Sequence, residues 1–340
     1  MISNYFMGNK TFQLREEPVP AAGPGEVLVK VAACGVCGTD VHIYHGDKGS
    51  AEVTPPVVLG HEFSGVVEAV GENVTAVRPG DHVTVDPNIY CGKCRSCRMG
   101  RKQLCSNLFA IGVNRNGGFA EYCVVPEEQC YLLSRDIPLR YGAMAEPLAC
   151  CIHGMDRADI RAGETVLIVG GGAVGLMMLQ LAKLRGASRV AVSEPVAMRR
   201  KIAEQLGADF TVDPVSENLR EALKEKIGDE GPDVIVECVG NTVAVRQAFE
   251  AAARGSRVLL FSVPKPETTH ALSLMDVYQK ELTVLGSMIN PDTHARAAEL
   301  INRNRIRLEE IITHSFPIRQ LEDAIRMQMS DASLKVVVEP

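Results

Sequence analysis

Four cysteines lie close together in a segment rich in Gly, Lys and Arg. Cys91, Cys94, Cys97 and Cys105 follow the spacing C-x2-C-x2-C-x7-C. Four thiolates can complete a tetrahedral zinc shell, and a short polar segment of this kind has no core of its own to fold around. An iron–sulfur cluster is the main competitor, but the bacterial ferredoxin motif has its fourth cysteine after three residues, followed by proline. Cys105 comes after seven residues and precedes Ser106, so the spacing predicts a closed, structural zinc site.

A glycine-rich turn in the middle of the chain has the pattern of a dinucleotide-binding loop. The string from Gly170 to Gly175 satisfies G-x-G-x-x-G, follows an apolar β-rich run and opens an apolar helical run. Gly170 permits the tight turn, Gly172 lets the backbone reach the pyrophosphate, and Gly175 allows close packing of helix and strand. The helix N-terminus directs its partial positive charge at the phosphates. We therefore predict cofactor contacts from Gly170, Gly172, Val174 and Gly175.

An acidic residue follows at the distance expected for the adenosine ribose. Glu194 comes about 20 residues after the last glycine, at the end of the next predicted strand, where an acid hydrogen-bonds the ribose hydroxyls. Because an acid repels a 2′-phosphate, Glu194 favours NAD over NADP. Arg199 and Arg200 follow on the next predicted helix and offer an alternative phosphate site. We expect Arg199 at the cofactor and Arg200 on a solvated helix face.

Three further fragments carry potential metal ligands or catalytic groups. They are Cys37-Gly38-Thr39-Asp40-Val41-His42, Gly60-His61-Glu62 and Ala145-Glu146-Pro147. Taken singly, each fragment is unremarkable, because a lone cysteine is more often a small buried residue than a ligand. A lone histidine is likewise more often a hydrogen-bonded structural residue. The fragments gain meaning only in combination.

Two sequence textures predict the elements that position these residues. From about Glu26 to Tyr131, short β-rich runs alternate with Pro and Gly turns, which predicts a barrel-like β unit. From Thr165, strands alternate with helices, which predicts parallel βαβ units. The predicted strands of this part are Val166–Val169, Val190–Val192, Asp233–Glu237 and Val258–Phe261, and the predicted helices are Val174–Leu184, Met198–Leu206 and Val243–Ala253. The chain ends in a strand-like run, Lys335–Val338.

The composition is that of an ordinary globular protein of two domains. The 340 residues are 46% hydrophobic and 23% charged with a net charge of −6, which excludes a disordered or fibrous chain and argues against nucleic-acid binding. The N-terminus shows no secretory signal, so we expect a cytoplasmic protein with reduced thiols. The longest uncharged run, Thr165 to Ala182, is interrupted by glycines and predicts a strand, a turn and a helix rather than a membrane span.

In their order and spacing, these motifs resemble the zinc-dependent medium-chain dehydrogenase/reductase family. The resemblance covers nearly the whole chain and includes the three fragments above, the four-cysteine lobe, the glycine turn and Gly117-Gly118-Phe119-Ala120-Glu121-Tyr122. It implies an α/β protein with a GroES-like, β-rich catalytic domain over residues 1–150, whose zinc lobe covers about 88–106. A Rossmann domain with a doubly wound parallel sheet would follow over 151–286. The C-terminal segment 287–340 would return to the catalytic domain.

The resemblance also implies roles for particular residues. The ligands of an open catalytic zinc would be Cys37, His61, Glu62 and Glu146, of which Glu146 can bind the metal or exchange with water. Such a zinc lowers the pKa of a bound oxygen to roughly 7, which prepares an alcohol for hydride loss. Thr39 would bind the alcohol oxygen and pass its proton towards His42. The residues expected near the nicotinamide are Phe261, Ser262, Val263, Ser287 and Met288.

The resemblance favours one substrate branch. Glu146-Pro147, where many alcohol dehydrogenases have a cysteine, is similar to the polyol and threonine dehydrogenase branches. Threonine dehydrogenases typically carry His and Gly at the positions of Ile89 and Ala149. We therefore predict an NAD-dependent dehydrogenase, with two zinc ions per chain, that oxidises a polyol or related secondary alcohol to the ketone as a homotetramer or dimer. The alternatives are an L-threonine 3-dehydrogenase, another zinc alcohol dehydrogenase, or a non-catalytic cofactor-binding protein.

Overall fold

The computed structural model describes residues 1–47 and 52–340 and divides the chain into two units. The first unit consists of Met1–Ala149 together with Asn290–Pro340, and the inserted unit is Cys150–Ile289. The C-terminal segment therefore folds with the N-terminal part. The glycine-rich turn lies in the inserted unit.

Short strands make up most of the N-terminal part. The strands are β1 (Ile2–Gly8), β2 (Thr11–Glu16), β3 (Glu26–Gly35), β4 (Val57–Val58), β5 (Glu62–Val70), β6 (His82–Val85), β7 (Asn88–Ile89), β8 (Phe109–Ala110), β9 (Tyr122–Pro126) and β10 (Cys130–Leu133). The helices are α1 (Gly38–His45), α2 (Arg95–Arg98), α3 (Leu139–Gly142) and α4 (Ala145–Ala158). In β3, Val29, Val31 and Ala33 are buried, while Lys30 is exposed and Ala32 is half-buried. This alternation follows from the two-residue period of a strand, and β-branched side chains suit it.

The inserted unit alternates strands and helices throughout. Its elements are β11 (Thr165–Val169), α5 (Ala173–Leu184), β12 (Arg189–Ser193), α6 (Ala197–Gln205), β13 (Phe210–Val212), α7 (Leu219–Ile227), β14 (Val234–Glu237), α8 (Thr242–Ala251), β15 (Arg257–Leu260), α9 (Leu274–Lys280) and β16 (Thr283–Gly286). The strands form one parallel sheet in the order β13-β12-β11-β14-β15-β16. This is the strand order of a doubly wound dinucleotide-binding sheet. Val166, Leu167 and Ile168 of β11 are all fully buried, as expected of a central parallel strand covered on both faces.

The C-terminal segment completes the largest sheet of the first unit. Its elements are α10 (His294–Asn302), β17 (Ile312–Pro317), α11 (Leu321–Gln328) and β18 (Lys335–Glu339). The sheet has the order β10-β6-β5-β3-β18-β17, and β9 also pairs with β3. Because Val337 of β18 pairs with Gly35 of β3, the last strand lies beside the strand that leads into α1.

The two units confirm the predicted fold class, a β-rich domain combined with a doubly wound α/β domain. The run from Thr165 to Ala182 forms β11, the glycine turn and most of α5, as predicted. Within residues 1–47 and 52–340, no helix has both the length and the apolar character that a bilayer crossing requires.

Candidate functional site

The four lobe cysteines converge on one point. The Sγ atoms of Cys91, Cys94, Cys97 and Cys105 all lie within 4.8 Å of one another, and those of Cys94 and Cys105 are 4.0 Å apart. Zinc–sulfur bonds of about 2.3 Å in a tetrahedron hold the sulfurs about 3.8 Å apart, so the spacing suits zinc. The lobe has only the two-residue strands β7 and β8 and the single turn α2 as regular elements apart from one 3₁₀ turn. A metal would therefore supply the internal contacts that such a segment lacks.

Backbone amides prepare these sulfurs for metal binding. The N–H group of Cys94 donates to Sγ of Cys91 at 3.3 Å, and that of Cys97 donates to Sγ of Cys94 at 3.5 Å. The Cys97 amide is the main cause that lowers the pKa of the Cys94 thiol to about 6. Since the thiolate is the ligand form, the donor set fits zinc. Four sulfurs fill its coordination shell, which suits a structural ion.

A second group of ligand atoms is assembled where α1 and β5 begin. The donor atoms of Cys37, His61 and Glu62 lie within 4.8 Å of one another. Cys37 is the N-cap residue of α1, whereas His61 and Glu62 stand at the start of β5. Gly60 before them has a φ of +93°, and a Cβ there would lie 2.9 Å from the Phe119 backbone nitrogen, so this turn requires glycine. One thiolate, one imidazole and one carboxylate form a donor set that zinc accepts with a position left open.

Asp40 is a fully buried carboxylate that links two of these ligands. Its Oδ2 accepts the N–H of Cys37 at 2.9 Å, and its Oδ1 lies 3.5 Å from Nδ1 of His61. Burial by itself lowers the pKa of His61, but Asp40 and Cys37 together raise it well above its ordinary value. A carboxylate at Nδ1 orients the ring and leaves Nε2 for a metal. Metal binding here would displace a proton from the imidazole.

A buried lysine meets the third ligand. The Nζ atom of Lys335 contacts Oε2 of Glu62, and the two side chains are only 6% and 2% exposed. Burial lowers the pKa of Lys335, but Glu62, Cys37 and Glu146 more than offset this and raise it. Lys335 is therefore charged. The candidate metal site contains a permanent cation of its own.

The remaining residues expected around the metal lie in the same unit. Glu146 is buried in the first turn of α4, outside the group of three donors but within electrostatic reach of Lys335. Thr39 and His42 lie one turn apart on one face of α1 and are both half-buried. Nδ1 of His42 is 3.3 Å from Oδ2 of Asp47, which leaves Nε2 as the nitrogen for proton exchange.

The glycine turn has the geometry that its pattern predicts. Gly170 has a φ of +102°, and a Cβ at Gly175 would lie 1.9 Å from the carbonyl oxygen of Gly170. At Gly172, a Cβ would meet no atom within 4 Å. Gly170 and Gly175 are therefore required by the turn itself. Gly172, the N-cap of α5, leaves open space at the helix N-terminus, which suits an approaching phosphate. Val174 follows in the first turn of α5.

Glu194 is held rigidly beside this turn. It directly follows β12, is 3% exposed, and its two oxygens accept the N–H groups of Gly171 at 2.6 Å and Val196 at 2.9 Å. Arg200 on α6 donates to the carbonyl oxygens of Glu194 and Pro195, both at 2.7 Å. Its guanidinium also lies 3.3 Å from the carboxylate of Asp213 and is only 20% exposed.

The expectation of a solvated helix face is therefore wrong for Arg200. The Arg200 guanidinium instead donates hydrogen bonds to the carbonyl oxygens of the turn that follows β12, which need donors. Arg199 precedes it on α6.

The residues expected near the nicotinamide follow β15 and β16. The Ser262 hydroxyl donates to Oε2 of the buried Glu237 at 2.6 Å. The Phe261 ring packs against Gly154, where a Cβ would come within 2.7 Å of it. Val263 and Met288 are 55% and 40% exposed. The Ser287 hydroxyl is buried and has no hydrogen-bond partner within the described part of the chain. All these residues belong to the inserted unit. Of them, Val263 and Met288 expose apolar side chains to solvent.

Two family models match the chain. The alcohol dehydrogenase GroES-like domain matches residues 23–135, and the zinc-binding dehydrogenase domain matches residues 173–303. The chain therefore belongs to the zinc-dependent medium-chain dehydrogenase/reductase family. Within this family it is a zinc-type alcohol dehydrogenase, that is, an oxidoreductase.

Individual relatives are similar over almost the full length. The L-threonine 3-dehydrogenases of Caldanaerobacter subterraneus subsp. tengcongensis and Symbiobacterium thermophilum are 35% and 37% identical over 96% of this chain and 94% of theirs. A zinc-binding dehydrogenase of Sinorhizobium meliloti 1021 bound to NADP has a TM-score of 0.96 at 40% identity and covers 100% of this chain and 99% of its own. Galactitol-1-phosphate dehydrogenase from Escherichia coli has a TM-score of 0.89 at 29% identity, with 100% of both chains covered.

Two residues of the candidate site had no role assigned to them from the sequence. Asp40 stood inside the Cys37–His42 string without an assigned role, although a carboxylate three residues after a cysteine at a helix start is a recognisable cap. Lys335 was only part of a predicted strand. The available signal was a single charged residue in a run of apolar ones, Leu334 to Val338, because a charge there is buried only with a partner.

Proposed function

We propose that this protein oxidises L-threonine at its secondary alcohol to the 3-ketone, using NAD and a zinc ion held by Cys37, His61 and Glu62. The observation that carries the substrate is identity of 35–37% to L-threonine 3-dehydrogenases over 96% of the chain. The substrate predicted from the sequence alone, a polyol, becomes the second candidate. Ile89 and Ala149, together with the likeness to galactitol-1-phosphate dehydrogenase, favour it.

The chain's own residues would share the chemistry as follows. When bound, zinc supplies the Lewis acidity that lets an alcohol oxygen lose its proton near neutral pH, and NAD accepts the hydride. Asp40 orients His61 and caps the helix that carries Cys37. Thr39 would accept the alcohol proton, and Nε2 of His42 would release it to solvent, since Asp47 holds the other ring nitrogen.

The inserted unit would hold the cofactor. Gly172 leaves room for the pyrophosphate at the N-terminus of α5, and the fixed carboxylate of Glu194 would face the ribose hydroxyls. Because both oxygens of Glu194 already accept backbone N–H groups, the carboxylate has a single position. A 2′-phosphate would meet this charge, so we propose NAD rather than NADP. The lobe cysteines would hold the second zinc.

The test is a substrate panel run with both cofactors on the zinc-loaded protein. We expect NADH formation with L-threonine, its loss in Cys37→Ser, and its retention in the control variant Cys130→Ala, whose thiol lies away from the candidate site. Turnover of polyols such as sorbitol or galactitol without L-threonine would replace the first candidate by the second. A clear preference for NADP would contradict the role of Glu194. No turnover with any alcohol would overturn the assignment of an alcohol substrate.

A further inference from the structure

The ion pair between Lys335 and Glu62 has a large desolvation cost in the free energy of folding. Both side chains are almost fully buried, and a buried ion pair generally stabilises a protein less than a well-packed apolar pair of the same size. The neighbouring residues of β18, Val336, Val337 and Val338, are apolar and fully buried. The single charge in this strand therefore points to a role beyond packing.

The surrounding backbone leaves a space made for this contact. Gly35 of β3 pairs with Glu62 of β5 on one side and with Val337 of β18 on the other. A Cβ at Gly35 would lie 2.3 Å from Oε2 of Glu62 and 2.8 Å from Cε of Lys335. Because Gly35 has no side chain, the Lys335 ammonium can reach the Glu62 carboxylate at this position.

We propose that Lys335 is a positioning residue that serves as the internal counter-ion of Glu62. It holds the carboxylate at the ligand position before a metal arrives, and it competes with the metal for that carboxylate afterwards. This inference rests on the metal site of the proposed function, but it does not depend on the substrate.

The charges around the site indicate whether Lys335 strengthens or weakens zinc binding. Cys37, Glu62 and Glu146 bring three negative charges when they are ionised, and a zinc ion brings two positive ones. Lys335, whose ammonium contacts Glu62, supplies the remaining positive charge. Its ammonium also repels the metal, since charges at short range interact strongly where water is excluded. Lys335 therefore keeps Glu62 a shared and exchangeable ligand.

The first test compares Lys335→Met with Lys335→Arg and with Lys30→Met, the same change at an exposed lysine of β3. Metal-free Lys335→Met should melt about 5–10 °C below the parent because Glu62 loses its partner. Zinc should restore most of this loss. By chelator competition, the site that disappears in Cys37→Ser should bind zinc about tenfold more tightly in Lys335→Met. Lys335→Arg and Lys30→Met should resemble the parent.

The second test removes the carboxylate first. In a Glu62→Gln background, Lys335 is a buried cation without its counter-ion, so adding Lys335→Met should raise the melting temperature of the metal-free protein rather than lower it. The effect of Lys335→Met on zinc affinity should be smaller in this background, because only the direct repulsion between the ammonium and the metal remains.

Two results would overturn the proposal. One is an equal loss of melting temperature with and without zinc at unchanged zinc affinity, which would make Lys335 purely structural. The other is weaker zinc binding in Lys335→Met, which would mean that the lysine only orients the ligand. Neither measurement uses a substrate, so a failure of L-threonine turnover bears on the proposed function alone.

Discussion

Buried charges in the first unit are compensated in two different ways. Lys335 and Glu62 neutralise each other, whereas the buried carboxylate of Asp86 accepts hydrogen bonds from amides. Its Oδ1 accepts the side-chain N–H groups of Asn88 and Asn290, both at 3.2 Å. Burial raises the pKa of Asp86 to about 6, even though these hydrogen bonds lower it. A buried carboxylate whose pKa is raised in this way makes stability depend on pH.

Asp86 should make the protein less stable as the pH rises. The folded state binds the proton with a pKa of about 6, against an ordinary aspartate pKa of 3.8. Its contribution is therefore fully present below about pH 4 and is lost as the pH rises through 6. Asp86→Asn should gain stability relative to the parent as the pH rises from about 4 to about 6 and keep that difference at higher pH, measured by urea unfolding. The exposed control Asp136→Asn should follow the parent, and parallel curves for Asp86→Asn would contradict the assignment.

At the scale of elements, the junction of β11 and α5 separates structural from functional glycines. Gly175 touches the backbone of Gly170, so a methyl group there must push the helix away from the strand. Gly172 faces open space at the start of α5. Replacing glycine by alanine should therefore have different consequences at Gly172 and at Gly175.

Gly175→Ala and Gly172→Ala should be distinguishable by two measurements. Gly175→Ala should lose about 1–3 kcal/mol of stability, the usual cost of overpacking, and should bind NAD poorly as a consequence. Gly172→Ala should keep the melting temperature of the parent but raise the Kd for NAD about tenfold or more, because the backbone can no longer approach the pyrophosphate. Thermal unfolding and calorimetric titration with NAD test this pair. A loss of stability in Gly172→Ala would contradict it.

At the scale of the whole molecule, the two candidate zinc sites differ in what surrounds them. The ligand atoms of Cys37, His61 and Glu62 lie where the central strand β3 ends and the central strand β5 begins, and these elements belong to a large apolar core. The lobe around the four cysteines has only short elements, and of its cysteines only Cys97 is buried. Metal should thus be essential to local structure in the lobe and dispensable for the fold at the other site.

Metal analysis combined with limited proteolysis should separate the two sites. The parent should contain two zinc ions per chain. Cys94→Ser and Cys37→Ser should each contain one. Only Cys94→Ser should be cut rapidly by trypsin within residues 88–106, because Lys93, Arg95 and Arg98 are already exposed there and the backbone around them would lose its fixed conformation. Equal protease resistance of the two variants would show that the lobe does not depend on its metal.

Local patterns made much of the molecule predictable. The predicted helix Val174–Leu184 differs from α5 by one residue at its start, because strand, glycine turn and amphipathic helix are short-range signals. The predicted strand Val258–Phe261 is shifted by one residue from β15, which is Arg257–Leu260. Phe261 lies just after the strand and its ring packs against Gly154, a contact that the strand pattern does not report. Arg200 was predicted to face solvent because the sequence pattern does not show that its guanidinium can reach the carbonyl oxygens of Glu194 and Pro195.

The amino-acid sequence by itself determined the fold class, the four-cysteine site and the dinucleotide loop, because cysteine spacing and glycine patterns report local geometry. The site of Cys37, His61 and Glu62 was predicted only through the resemblance to the family. Tertiary structure alone decided that Asp40 meets His61 and that Lys335 meets Glu62 through the gap at Gly35. These contacts join segments that are distant along the chain, so no local pattern contains them. The contact of Lys335 depends on β18 returning to pair with β3, and burial is what makes the charges of both contacts interact strongly.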